Sequence, residues 1–126
     1  MTTHHFKPTY WHNVLGTFPP ALTIESGDTV MTETIDANGW DKDSVKVAGG
    51  PNPMNGPIAV AGAEPGDSLK VEILDMTPNR ATGWTRAALA QNVVDPEFVT
   101  ELPERERVTW RIDRNASTVQ LEDSPE

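Results

Sequence analysis

The chain has 126 residues, enough for one domain, with 37% hydrophobic residues and a mean hydropathy of -0.47. A formal charge of -9 argues against nucleic acid or an anionic membrane as partner, since both attract lysine and arginine. The absence of cysteine removes disulfides, thiol nucleophiles and cysteine-based zinc sites, and no apolar run suits a membrane span or a signal peptide, so a cytoplasmic protein is expected.

Residues 1–20 are polar and aromatic and hold all three histidines, His4, His5 and His12. His4 and His5 read as solvated terminus. Trp11, Val14, Leu15 and Phe18 suit the packing of a first strand against a core. Pro19-Pro20 is stiff and extended. A short strand is predicted over residues 21–24, a turn at Ser26-Gly27-Asp28, and a second strand over residues 29–35, rich in Thr and Val. Asp36-Ala37-Asn38-Gly39 ends that strand, Asn-Gly being a strong turn signal. Residues 40–55 form a long stretch without periodicity, of the kind that is either functional or mobile.

The next segment is the most regular in the chain. An apolar run over residues 58–60 meets the turn Ala63-Glu64-Pro65-Gly66-Asp67, and residues 68–74 then alternate. Pro65 pre-sets φ for the first central position of a type II turn, and Gly66 takes the positive φ of the second. Leu69, Val71 and Ile73 fall on one side and Lys70, Glu72 and Leu74 on the other, which predicts a strand with one face in a core. The phrase GDSLKVEILD at residues 66–75 also echoes GDTVMTETID at residues 27–36. The echo is either two related supersecondary units or the ordinary look of a Gly-Asp turn entering a strand.

Residues 77–92 are irregular, with one helical turn expected over residues 86–90. Asp95-Pro96 reads as a short helix start, Asp as cap and Pro at the first position. Strands are predicted over residues 108–112 and 117–121. The sum is a mainly β chain, residues 1–126 as one domain: a sandwich or jelly-roll-like antiparallel fold with long loops and one or two short helical turns.

No Gly-x-Ser-x-Gly elbow, Ser-His triad context or phosphate loop is present. Asp28 and Asp67 read as turn formers. Asp36 closes a strand at a sheet rim, and His12 can meet it if the first segment runs beside the second strand. A carboxylate with a neutral imidazole is ordinary ligand chemistry for a divalent metal. The bland alternative is a turn aspartate bonding its own backbone and a surface histidine.

Three phrases, PPALTIESGDTV at residues 19–30, ETIDANG at residues 33–39 and NPMNGPIAVAGAEPGDSLKVEILD at residues 52–75, together resemble the acetamidase/formamidase family. TPNRATGW at residues 77–84 and ALAQNVVDPEF at residues 88–98 are similar to one branch of it. The resemblance implies a β-rich, sandwich-like fold that hydrolyses small linear amides, such as formamide or acetamide, to a carboxylate and ammonia. It implies a divalent cofactor, zinc or calcium, that activates water. It matches Asp36 to a catalytic and metal-binding position and His12 to a second metal ligand. Two departures stand out: Trp40-Asp41 replaces the family's Gly-Gln, and its His/Asp/Glu-rich ligand phrase has no counterpart here. The chain therefore looks like the N-terminal half of such an enzyme, expected to be incomplete alone and to form a homo-oligomer or pair with a missing second half. The alternative is a non-catalytic β-sandwich module for binding or oligomerisation.

Overall fold

A computed structural model describes residues 1–86, 89–104 and 106–124 of the chain. The chain is mainly β, with short strands, two 3₁₀ helices and long connections. It divides into two compact units, Met1–Leu74 and Asp75–Glu126.

In the first unit, β1 (Thr3–Phe6) pairs with β3 (Thr29–Thr32), and β2 (Leu22–Ile24) pairs with β4 (Ile58–Val60). Both pairings are parallel, Thr3 opposite Thr29 and Leu22 opposite Ile58. Main-chain bonds extend the second pair at both ends, from Ala21 N to Pro57 O (2.8 Å) and from Ala61 N to Ile24 O (2.7 Å).

The echo between residues 27–36 and 66–75 has a structural basis. At Glu25-Ser26-Gly27-Asp28 the Asp28 amide donates to Glu25 O (3.1 Å) while Asp28 Oδ2 accepts the Glu25 amide (3.1 Å). At Glu64-Pro65-Gly66-Asp67 the same reciprocal pair closes the bend, at 3.0 and 2.9 Å. Each bend places its glycine at positive φ, Gly27 at 88° and Gly66 at 105°, a region costly for any residue with a Cβ. β2 and β4, which precede the two bends, run side by side in the same direction, as two copies of one unit would.

After the bends the copies diverge. Residues following the first bend form β3 and find β1 as a partner. Residues 68–74 do not form the predicted strand and do not fold back on β4. Two successive bends, Ala63 N to Val60 O and Asp67 N to Glu64 O, separate the arms, and β4 is paired with β2 instead. The predicted core face is left in solvent: Leu69, Val71 and Ile73 are 68%, 75% and 70% exposed.

The second unit is an antiparallel meander of β5 (Thr82–Arg86), β6 (Arg107–Asp113) and β7 (Thr118–Leu121). Gly83, Trp84, Thr85, Trp110, Ile112 and Val119 line a shallow apolar depression, with Trp110 Nε1 donating to Thr85 Oγ1 at 2.9 Å. The guanidinium carbons of Arg86 and Arg107 lie 5.7 and 5.3 Å from the Trp84 ring centroid. The β6–β7 turn is closed by Asp113 Oδ1, which accepts the amides of Asn115 (2.9 Å) and Ala116 (3.0 Å).

The 3₁₀ helices span Gln91–Val93 and Pro96–Glu101. Pro96 sits at the helix start as predicted, but Asp95 caps it with its carbonyl, bonded by Phe98 N at 3.0 Å, and not with its side chain. Of the helical turn predicted over residues 86–90, Arg86 ends β5 and residues 87 and 88 lie outside the described residues. Among the described residues no hydrophobic side chain is buried, and Leu15 and Val14, expected in a core, are 91% and 63% exposed. Among the described residues only Gly39 and Gly56 are buried.

The β1–β3 pairing is fastened by Asp28. Its carboxylate bonds His4 Nε2 (2.9 Å), the Thr2 amide (2.7 Å) and the Glu25 amide (3.1 Å), and its side chain is only 6% exposed. The His4 bond first, then the two amides, hold the carboxyl down from 3.8 to about 2. The fold thus favours the ionised form, so this group's stabilisation is complete above pH 3.8 and is lost as pH falls toward about 2. Chemical denaturation at stepped pH is expected to show that acid-side loss, and Asp28→Ala to remove the part of it lying in this window.

Candidate functional site

The loops of the first unit are built by aspartates. Asp36 Oδ1 accepts the amides of Asn38 (2.9 Å) and Trp40 (3.0 Å), while Asp36 N donates to Trp40 O (2.9 Å) and Gly39 N to Asp36 O (2.9 Å). The next five residues repeat the construction. Asp41 Oδ1 accepts the amides of Asp43 (3.0 Å) and Val45 (2.9 Å), Asp41 N donates to Val45 O (3.0 Å), and Ser44 N to Asp41 O (3.1 Å). The fourth residue of each bend has positive φ, Gly39 at 89° and Ser44 at 60°. Short side chains that bond amides two or more residues ahead are the physical reason aspartate recurs at such bends. Two of the loop's own amides converge on Asp36 Oδ1.

Gly39 also permits a close backbone crossing. Val47 N and Ala48 N both donate to Gly39 O, at 2.9 and 3.2 Å. A Cβ on Gly39 would lie 2.0 Å from Ala48 O, where no atom fits. Trp40, which opens the second half of this loop, pairs with Lys46 across it, the ammonium 5.9 Å from the indole centroid. Lys42 Nζ bonds Glu33 Oε1 at 2.8 Å, which raises the lysine pKa, although both groups are exposed and the pair adds little stability.

His12 is held from the other side. Its amide donates to Met54 O (3.3 Å) and its carbonyl accepts Met54 N (2.9 Å). The imidazole stacks on Phe18, centroids 3.6 Å apart and planes 11° from parallel, with the Tyr10 ring edge-on at 5.2 Å. His12 Nε2 is shielded from solvent and has no hydrogen-bond partner among the described residues. A shielded, unpartnered ring nitrogen is costly unless something completes it.

The strip of residues 52–55 lies between these two parts. Asn52 N donates to Ala37 O at 2.8 Å. Asn55 ties three segments together: its Oδ1 accepts Trp11 Nε1 (3.0 Å), and its Nδ2 donates to Thr32 Oγ1 (3.1 Å) and Glu33 O (2.9 Å). Asn13 Nδ2 donates to Gly49 O (3.0 Å) and Pro51 O (2.7 Å). The strip begins and ends at cis prolines, Gly50–Pro51 and Gly56–Pro57. His12 and Asp36 are thus neighbours of the same strip, and no hydrogen bond or ring contact joins them directly. Sequence reasoning singled out the two titratable residues and passed over Asn55, the side chain that bridges their segments. A signal for it existed in the phrase Asn-Pro-Met-Asn-Gly-Pro, since an asparagine between two prolines and next to glycine suits bonding to neighbouring backbone.

The profile of the acetamidase/formamidase family matches residues 4–122. The chain belongs to that family. The match takes in every element that forms the site, from β1 to the 52–55 strip, and supports an amidohydrolase-type function toward small amides. No curated protein and no solved structure matches the chain. No helix among its described residues is long and apolar enough to cross a membrane.

The resemblance also implies a divalent ion. His12 Nε2 is the kind of atom an ion completes. Among the described residues, however, no three His, Asp or Glu side chains come together as a ligand group, the number a catalytic zinc site draws from protein.

Two substitutions test this architecture. Gly39→Ala is expected to destabilise the chain by about 2–4 kcal/mol, because both the left-handed φ and the Ala48 carbonyl exclude a methyl group. Asn55→Ala removes three hydrogen bonds and is expected to cost about 1–3 kcal/mol, read as a lower urea midpoint with an unchanged slope.

Proposed function

We propose that this chain is an amide-hydrolase domain that receives a small linear amide, formamide or acetamide, against the strip of residues 52–55. The family match carries this reading, and the unpartnered His12 Nε2 beside that strip supports it. An amide offers one carbonyl acceptor and one NH₂ donor. A nitrogen that lacks a partner is suited to take up either role, depending on which ring nitrogen carries the proton. The Phe18 and Tyr10 rings fix the imidazole plane.

Asp36 enters the same proposal as the catalytic carboxylate. Its Oδ1 accepts the Asn38 and Trp40 amides, so the loop sets the position of the carboxylate in advance. A carboxylate held this way can orient a water or accept its proton as the amide carbon is attacked. Asp36 and His12 also form the proposed ligand pair for zinc or calcium, with the remaining ligands coming from outside the described residues of this chain. When bound, such an ion would polarise the amide carbonyl and acidify water.

The absence of a three-ligand group among the described residues favours a second reading, an amide-binding domain that does not turn substrate over alone. Ammonia release from formamide and acetamide, with and without added zinc or calcium, separates the two. Catalysis predicts release that falls at least about a hundredfold in Asp36→Ala and in His12→Ala. Binding without turnover predicts acetamide-dependent shifts of the His12 ring resonances and no ammonia above the Asp36→Ala background. Neither signal with either amide sinks the amide reading altogether.

A further inference from the structure

We propose that residues 68–74 are the contact through which two copies of this chain associate, paired antiparallel about a two-fold axis at Val71. The inference is independent of the amide chemistry and starts from the duplicated bend. The first copy of the bend delivers β3, which has a partner strand in β1. The second copy delivers residues 68–74, whose backbone makes no hydrogen bond among the described residues. The side chains are equally uncommitted. Leu69, Val71 and Ile73 project with at least two-thirds of their surface in solvent, and neither Lys70 nor Glu72 has a salt-bridge partner among the described residues. A run of unpaired donors and acceptors with an alternating apolar side is a template for another strand.

The sequence of the run specifies which strand. Turned antiparallel against itself about Val71, it places Leu69 opposite Ile73, Val71 opposite Val71, and Lys70 opposite Glu72. The two-fold axis repeats each pair, so six apolar side chains share one face and two Lys–Glu pairs lie on the other. The neighbouring registers that keep the faces aligned are penalised. Centring on Lys70 opposes lysine to lysine, and centring on Glu72 opposes glutamate to glutamate. A parallel in-register pair would oppose both like pairs at once. Asp67 would meet Asp75 at either end, which confines the ladder to the run itself. A self-complementary charge pattern around an apolar centre is an argument for a second copy of this chain over an unrelated strand.

Sedimentation equilibrium of the full chain over a concentration series tests the proposal. The parent chain is expected to dimerise reversibly. Lys70→Glu and Glu72→Lys are each expected to weaken the dimer about tenfold or more, because each replaces both symmetry-related attractions with repulsions. An equimolar mixture of the two variants regains opposite charges at every facing position, and is expected to form a mixed dimer as tight as the parent. Because the chain has no cysteine, Val71→Cys supplies a single thiol on the axis, expected to oxidise to a covalent dimer faster than Val14→Cys, an exposed site elsewhere. A parent chain that stays monomeric, charge reversals that leave the dimer unchanged, a mixture no tighter than its components, or equal cross-linking at the two thiols would each overturn it.

Discussion

The architecture rests on aspartate side chains that bond the backbone just ahead of or behind them. Asp28, Asp36, Asp41, Asp67 and Asp113 each accept at least one main-chain amide within four residues, and each of those bonds closes a bend. A chain with few buried side chains cannot rely on a dense apolar interior to fix its loops. It relies instead on ionised acceptors, whose bonds to amides are stronger than neutral ones. The strong negative charge of the sequence is therefore partly a structural resource, since several of its carboxylates work on amides of their own loops.

This mode of construction decides what the candidate site can be. Asp36 shapes its loop through Oδ1, so the loop it closes also fixes where its carboxylate stands. His12 is placed by main-chain bonds to Met54 and by aromatic stacking, not by a partner for its Nε2. Asn55 then links the Trp11 indole to the backbone at Glu33, setting the spacing between the histidine and aspartate segments. The positions of the two titratable residues thus depend on a neutral amide side chain.

What the sequence revealed follows the range of the interactions involved. The bends at Gly27, Gly39 and Gly66 were legible because glycine φ and aspartate bonding are local. The strand β6 was legible from its alternation, and the mainly β class followed from several such runs. β1 was not, because THHF is too short to show a period and forms its strand through a partner far along the chain. β5, with Gly83 in its middle and proline and asparagine upstream, looked like loop until β6 pairs with it. Residues 68–74 show the reverse: their period announces a strand that the chain alone does not complete. At the site, His12 and Asp36 drew notice through their titratable chemistry. The tandem bend at Asp41 and the bridging role of Asn55 depend on which amides lie nearby, and no spacing rule reports that.

The contrast between local bends and distant strand pairs also sets an order of events for folding. Each aspartate bend closes a loop of a few residues, so it forms at little entropic expense and on a short timescale. The parallel pairs join Thr3 to Thr29 and Leu22 to Ile58, which requires long loops to close first. A chain built this way acquires its corners early and its sheets late.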